Sequence, residues 1–156
     1  MTKVSTSLLV LGAYLTRSSL KKVKTAKFIL ISTIEVYGNN YPSTDGTAIR
    51  DYIHVTDLAS AHIQAAKYLN KENKSITLNC GYGKGYSVKK VIDTFNKMYD
   101  EKVLYTYVKK RPGDLFKSIA NVSLLKKKLN WQPKNNSLKK ILESSLMWEK
   151  KLNRND

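Results

Sequence analysis

The feature that most constrains the fold of this chain is the run Asn39 to Ala59, NNYPSTDGTAIRDYIHVTDLA. It holds a turn-rich loop, a short strand and the start of a helix with nothing between them. Asn, Pro, Ser, Asp and Gly between residues 38 and 46 supply turn chemistry. Asp51 to Val55 (DYIHV) reads as a strand. Thr56 then offers an N-cap hydroxyl, and Asp57 adds negative charge at the first helical turn. Leu58, Ala61, His62, Ala65, Ala66 and Leu69 recur on one helical face.

The next stretch repeats that logic. Ile76 to Cys80 (ITLNC) reads as a strand, Gly81 to Tyr86 as a glycine turn, and Ser87 as the cap of a helix running to about Tyr99. Val88, Val91, Ile92 and Phe95 form its buried stripe. Val103 to Val108 is a further strand, and Val122 to Leu129 a short helix ended by Trp131-Gln132-Pro133. A last helix starts after Ser137, with Leu138, Ile141, Leu142, Ser145, Trp148 and Leu152 facing inward. Trp131 and Trp148 are expected core anchors. Upstream, Ser5 to Lys21 has a weakly helical pattern, and Phe28 to Ser32 is a short apolar run that suits a buried strand. The pattern is α/β with a small mixed sheet.

A chain of 156 residues with 42% hydrophobic residues can bury a core. One cysteine, Cys80, excludes an internal disulfide and suits a reducing cytoplasm. No apolar run approaches the ~18 residues of a membrane span. The apolar stretch Ser7 to Leu15 runs into TRSSLKK rather than a small-residue cleavage site, so secretion is not expected. The net charge of +16 admits a nucleic-acid-binding reading. However, the charge is nearly all lysine and spread along the chain, as on a solvated surface. Arginine occurs only at positions 17, 50, 111 and 154, so no helix carries an arginine row for reading bases. Nonspecific polyanion binding at low salt follows from the charge alone.

Two of the rare arginines fall in ordered turns. Arg50 follows the Tyr41–Gly46 loop, and Arg111 sits in KKRPGDL (Lys109 to Leu115) three residues before Asp114. Guanidinium grips phosphate through a flat fork of donors that lysine lacks, so the pair points to an anion site. Other motifs are weaker. GYGKGYSV follows a predicted strand and opens a helix, but its spacing is G-x-G-x-G, which suits a tight turn better than a dinucleotide. Tyr86 with Lys90 and Tyr105 with Lys109 match Tyr-x-x-x-Lys. The second lies on a strand, where the pair would stand roughly 13 Å apart, and the first begins ahead of a helix cap. His54 and His62 are the only histidines and are read as packing or surface residues; no metal site is expected.

The blocks YGNNYPSTDGTAIRDYIHVTDLASAH, LNCGYGKGYSV, KRPGDL, LNWQP and the terminal MWEK, running from about Tyr37 to Leu152, resemble the UDP-glucose 4-epimerase family. That family belongs to the extended short-chain dehydrogenase/reductases. The YPSTDGT loop points to the 4-epimerase branch rather than to sugar-nucleotide dehydratases. The resemblance implies an N-terminal Rossmann half that binds NAD and a smaller C-terminal half that binds UDP-glucose or UDP-galactose. The match falls mainly on the second. Residues 1–38 then correspond to a remnant of an incomplete Rossmann half, and 39–156 to the UDP-sugar-binding domain.

By resemblance, Arg50 and Arg111 grip the diphosphate, Asp114 contacts the ribose, and Tyr37 takes the aromatic position beside the uracil. Ser118 falls where the family often carries an aromatic near the sugar. Lys27 to Gly38 also resembles the strand that delivers the catalytic serine or threonine, which places Thr33 at the hydroxyl position. Tyr37 belongs to both alignments, as if two YG segments were fused at Tyr37-Gly38.

In the family, a tyrosine takes the proton of the sugar 4-hydroxyl while NAD takes the hydride. The sugar then turns on its diphosphate tether and receives the hydride on its other face. No G-x-x-G-x-x-G follows an N-terminal strand here, Gly12 standing alone after LLVL, and no Tyr-x-x-x-Lys has the family context. The chain is therefore expected to be truncated and inactive alone. The protein partners this reading admits are a separate Rossmann-half chain, which would restore activity in trans, and a second copy in a homodimer.

Overall fold

The computed structural model describes residues 34–100 and 102–152. The expected helix over 5–21, the strand over 28–32 and Thr33 lie outside them. The described elements are β1 (Ile34–Tyr37), β2 (Ile49–Asp51), α1 (Val55–Glu72), β3 (Gly85–Ser87), α2 (Val88–Met98), β4 (Tyr105–Val108), β5 (Lys117–Ser118), α3 (Ser123–Leu129) and α4 (Leu138–Leu152). They form two small sheets. β1 pairs parallel with β4, Tyr37 opposite Val108. β2 lies between β3, antiparallel, and β5, parallel, so the second sheet is mixed. The α/β class agrees with the sequence pattern.

Helix limits follow local chemistry. Ser87 caps α2 as expected, its hydroxyl accepting from the Lys90 amide at 3.1 Å. α1 ends at Asn73 and α3 at Asn130, both in the left-handed conformation that asparagine tolerates. Lys126, Lys127 and Lys128 crowd the last turn of α3, where the helix dipole favours positive charge.

Four expectations need correction. The strand expected over Asp51–Val55 is instead Ile49–Asp51; Tyr52, Ile53 and His54 leave the sheet and are buried. The cap of α1 is His54 rather than Thr56. Its imidazole Nδ1 accepts from the Thr56 amide at 3.2 Å and lies 2.8 Å from the Thr56 hydroxyl, which starts the helix two residues early. Ile76–Cys80 forms no strand. Ile76, Leu78 and Cys80 are half-buried while Thr77 and Asn79 are exposed, so the segment keeps strand-like alternation without a pairing partner. Finally, the apolar faces are narrower than the periodicity predicts. In α1, Asp57 and Ala61 are buried whereas His62, Ala66 and Leu69 are exposed. In α4, Leu138, Ile141 and Leu142 are buried, but Trp148 is 56% exposed and Leu152 44%.

The core has two lobes. Ile53, Ala61, Val122, Leu125, Leu129 and Trp131 pack between α1 and α3. Tyr52, Val91, Leu138, Ile141 and Leu142 pack between α2 and α4. Tyr52 and Ile53 are consecutive and enter opposite lobes, as neighbouring residues of an extended segment must. Burial pushes the Tyr52 phenol up to about 12, against a pull from Arg50. Tyr82 touches both lobes and stacks on Trp131, centroids 6.5 Å apart. Among the described residues, no helix is long and apolar enough to cross a membrane.

The loop ahead of β2 turns on Gly46, at φ +75°, where an added Cβ would lie 2.1 Å from the Asn39 carbonyl oxygen. Gly46→Ala is therefore expected to destabilise the protein by more than the ~1 kcal/mol typical of surface glycine changes, on the order of 2–3 kcal/mol. Urea unfolding measures it, and a loss under about 0.5 kcal/mol would mean that this loop relaxes freely.

Candidate functional site

Arg50, expected in a turn, instead occupies the middle of β2, level with Tyr86 on β3 and Ser118 on β5. Its Nη2 donates to Asp114 Oδ1 at 2.6 Å and its Nη1 to the Ile49 carbonyl at 2.8 Å. Two of the five guanidinium donors are thus used, and the fork is already oriented. The ion pair is partly sheltered, with side chains 29% and 26% exposed.

Asp114 is delivered by a tight turn. Its amide donates to the Arg111 carbonyl at 3.2 Å, Pro112 stands at the second position, and Gly113 takes φ +75° at the third. Proline followed by a positive-φ glycine is the signature of a type II turn. The turn therefore brings Arg111 and Asp114 close together. β1 and β4 place it. Their parallel pairing ends at Tyr37 and Val108, and the Gly38 amide donates to the Val108 carbonyl at 2.9 Å. Residues 109–111 consequently emerge beside Tyr37. The Arg111 guanidinium carbon sits 3.6 Å from the Tyr37 ring centroid, a cation–π stack. The Tyr37 hydroxyl donates to Glu35 Oε2 at 2.7 Å. Among the described residues, Arg111 makes no ion pair.

The loop from Tyr41 to Thr47 folds around Asp45. Oδ1 accepts from the Thr47 hydroxyl at 2.7 Å and the Thr47 amide at 3.0 Å, while Oδ2 accepts from the Ser87 hydroxyl. Burial raises the Asp45 pKa, but the hydrogen bonds from Ser87 and Thr47, helped by Lys89, outweigh it and hold the carboxyl below the ordinary value. Tyr41, at the loop's start, is buried. Its hydroxyl donates to Asp114 Oδ2 at 3.1 Å, and Lys110 Nζ lies 4.0 Å from its ring centroid.

Tyr37, Arg50, Arg111 and Asp114, the four described residues singled out by the sequence, are thus brought into one cluster. Thr33 lies outside the described residues. Ser118 stands level with Arg50 on the neighbouring strand. Tyr41 and Lys110 were not anticipated; their one local signal is adjacency to the turn motifs. Three cations line this cluster, Arg50 on Asp114, Lys110 over Tyr41 and Arg111 over Tyr37, an arrangement suited to a polyvalent anion.

The glycine loop is already filled. Asp51 Oδ2 accepts from the Gly83 amide at 2.8 Å and the Ala120 amide at 3.3 Å, and Oδ1 from the Tyr82 amide at 3.0 Å. A Cβ on Gly81 would lie 2.5 Å from that carboxylate. The amides a dinucleotide phosphate would need thus hold the protein's own anion, and this loop does not fit NAD. Neither Tyr-x-x-x-Lys match has its tyrosine on a helix: Tyr86 is in β3 and Tyr105 in β4.

A family model described as GDP-mannose 4,6 dehydratase matches residues 13–144. The chain is 41% identical over 119 residues to the UDP-glucose 4-epimerase of Azospirillum brasilense, covering 76% of this chain and 34% of that protein. Among solved structures, the UDP-glucose-4-epimerase of Stenotrophomonas maltophila, with bound NAD and formylated UDP-arabinopyranose, matches with a TM-score of 0.75 at 37% identity. That match covers 80% of this chain and 37% of the other. The Bifidobacterium longum UDP-glucose 4-epimerase in complex with NAD+ and UDP gives 0.67 at 34% identity, over 77% of this chain and 35% of the other. The chain spans about a third of the length of the curated relatives it matches.

Proposed function

We propose a UDP-sugar-holding role for this chain, which belongs to the family described as GDP-mannose 4,6 dehydratase, among the extended short-chain dehydrogenase/reductases, and matches one part of UDP-glucose 4-epimerase. The observation that carries the reading is the convergence of Arg50, Arg111, Asp114 and Tyr37. In this reading the two guanidinium groups grip the diphosphate, Asp114 accepts from the ribose, and Tyr37 lies beside the uracil. Residues 39–156 are the UDP-sugar-binding part, and residues 1–38 correspond to part of the Rossmann half. The natural ligands are UDP-glucose and UDP-galactose, in a reducing cytoplasm where Cys80 stays a free thiol.

Holding is separable from turnover. A hydride cycle needs a dinucleotide cradle and a tyrosine whose proton transfer is tuned by a nearby lysine. The sequence has neither in the family context, and the one glycine loop described is filled by Asp51. Alone, the chain is proposed to bind without epimerising; paired with a separate Rossmann half, it would supply the sugar-nucleotide grip in trans.

The test is a thermal-unfolding scan with UDP, UDP-glucose, NAD, tripolyphosphate and no addition. UDP and UDP-glucose are expected to raise the midpoint and NAD to leave it unchanged. At a hundredfold excess over Kd the gain is about 2.7 kcal/mol. An equal rise with tripolyphosphate, abolished by salt, would reduce the site to nonspecific attraction by a +16 chain. No rise with UDP or UDP-glucose would overturn the reading.

A further inference from the structure

We infer that Tyr41 is a positioning residue for the anion grip, acting on Arg50 through Asp114; the inference deepens the UDP-sugar reading and rests on it for its consequence in binding. The turn that carries Asp114 projects into solvent: a Cβ added to Gly113 would meet nothing within 4 Å. The Asp114 side chain, one residue on, is partly sheltered, and each of its carboxylate oxygens is held by a hydrogen bond. Oδ1 is committed to Arg50 at 2.6 Å and Oδ2 to the Tyr41 hydroxyl at 3.1 Å. With both oxygens held, the Asp114 carboxylate cannot rotate, and Arg50 inherits its orientation.

Tyr41 is built as a rigid post for this purpose. Its residue is 3% exposed although it sits in a loop. Its amide donates to the Gly46 carbonyl at 2.9 Å, and its carbonyl accepts from the Ser43 amide at 2.7 Å. Its ring lies against Gly38, where a Cβ would come within 2.7 Å of Cε2, and Lys110 covers it. The hydroxyl remains a donor. Burial raises its pKa, and the hydrogen bond to Asp114 and that residue's charge raise it further, against the pull of Arg50 and Arg111. Tyr41 and Asp114 are 73 residues apart in sequence, so the contact ties the loop ahead of β2 to the turn after β4.

The experiment uses Tyr41→Phe, which keeps the ring and removes the hydroxyl. The chain has four arginines, so their side-chain NMR signals can be assigned by single Arg→Lys substitutions. In the ligand-free protein, Tyr41→Phe is expected to speed rotation of the Arg50 guanidinium and leave Arg111 unchanged. UDP affinity should fall about 3- to 10-fold, the scale of one lost hydrogen bond. In an Asp114→Asn background the same change should cost nothing further, because its route to Arg50 is already cut. A merely structural role would lower affinity equally in both backgrounds. Arg50 dynamics unaltered by Tyr41→Phe would overturn the relay, whether or not UDP binds. Absence of UDP binding by the unsubstituted chain, with Arg50 still loosened by Tyr41→Phe, would sink the UDP-sugar reading and leave the relay standing. Should Tyr41→Phe not fold, Asp114→Asn alone must loosen Arg50 in the same way, and unchanged Arg50 signals there would also overturn it.

Discussion

Asp57→Ala is expected to destabilise the fold by about 3–5 kcal/mol, a loss at the upper end for single substitutions. The carboxylate is buried at the first turn of α1 and accepts four hydrogen bonds. Oδ2 takes the Tyr82 hydroxyl and the Asn135 amide, both at 2.8 Å; Oδ1 takes the Lys134 amide and the Asn135 side chain, both at 3.1 Å. One side chain thereby ties α1 to the glycine loop and to the segment entering α4, which joins the two core lobes. Alanine would leave these donors without their acceptor, and bonds to a charged acceptor are worth more than neutral ones. Asp57→Asn should do nearly as much harm, because its amide nitrogen would face donors. Urea unfolding decides the matter, and a midpoint unchanged in Asp57→Ala would remove the clamp from the account.

The same carboxylate predicts acid lability. Burial raises the Asp57 pKa, but the hydrogen bonds from Asn135, Tyr82 and Lys134 more than offset it, so the folded value lies below the ordinary 3.8. A depressed folded pKa means that the unfolded chain takes up protons first as pH falls. The stabilisation is thus complete above the ordinary aspartate range and is lost as pH drops through the folded value. Asp45 acts with the same sign. Stability should therefore fall steeply below about pH 4, with a shallower slope in Asp57→Ala; identical slopes in the two proteins would exclude Asp57 as a source of the acid dependence.

What the sequence made legible was local. Ser87 could be read as a cap because its hydroxyl and the Lys90 amide lie three residues apart. The Arg111–Asp114 turn could be read because Pro112 and Gly113 set their own backbone angles. Failures came where distant partners decide. β2 is displaced toward Ile49 because its neighbours, Ser87 and Lys117, set its register. Thr56 lost the cap to His54 because an imidazole reaching forward does the same work. Ile76–Cys80 has the alternation of a strand, but a ladder also needs an edge to pair with. Trp148 fits the stripe of α4, yet the core closes at Leu142, and Lys151 lies 5.7 Å from its ring instead. In the site, Arg50 stood out by the rarity of arginine. Tyr41 did not, because a loop has no periodicity and its partner lies 73 residues away.

Arg50→Ala is expected to weaken UDP binding by roughly 30- to 1000-fold, corresponding to about 2–4 kcal/mol. Two losses combine. The fork that would grip the phosphates disappears, and the Asp114 carboxylate, freed of its partner, faces an incoming anion of the same sign. The fold should survive, since β2 is held by backbone pairing and a partly exposed ion pair contributes about 1 kcal/mol or less. Arg50→Lys should restore only a minor part of the affinity, because an ammonium supplies charge without the planar fork. Adding Asp114→Asn to Arg50→Ala should recover some binding despite removing a second site residue, because it removes the repulsion. Isothermal titration with UDP at two salt concentrations measures all of this. An Arg50→Ala chain that is folded and binds UDP as tightly as the parent would mean that the diphosphate is held elsewhere. Further loss on adding Asp114→Asn would mean that the ribose contact proposed for this carboxylate outweighs its repulsion of the diphosphate.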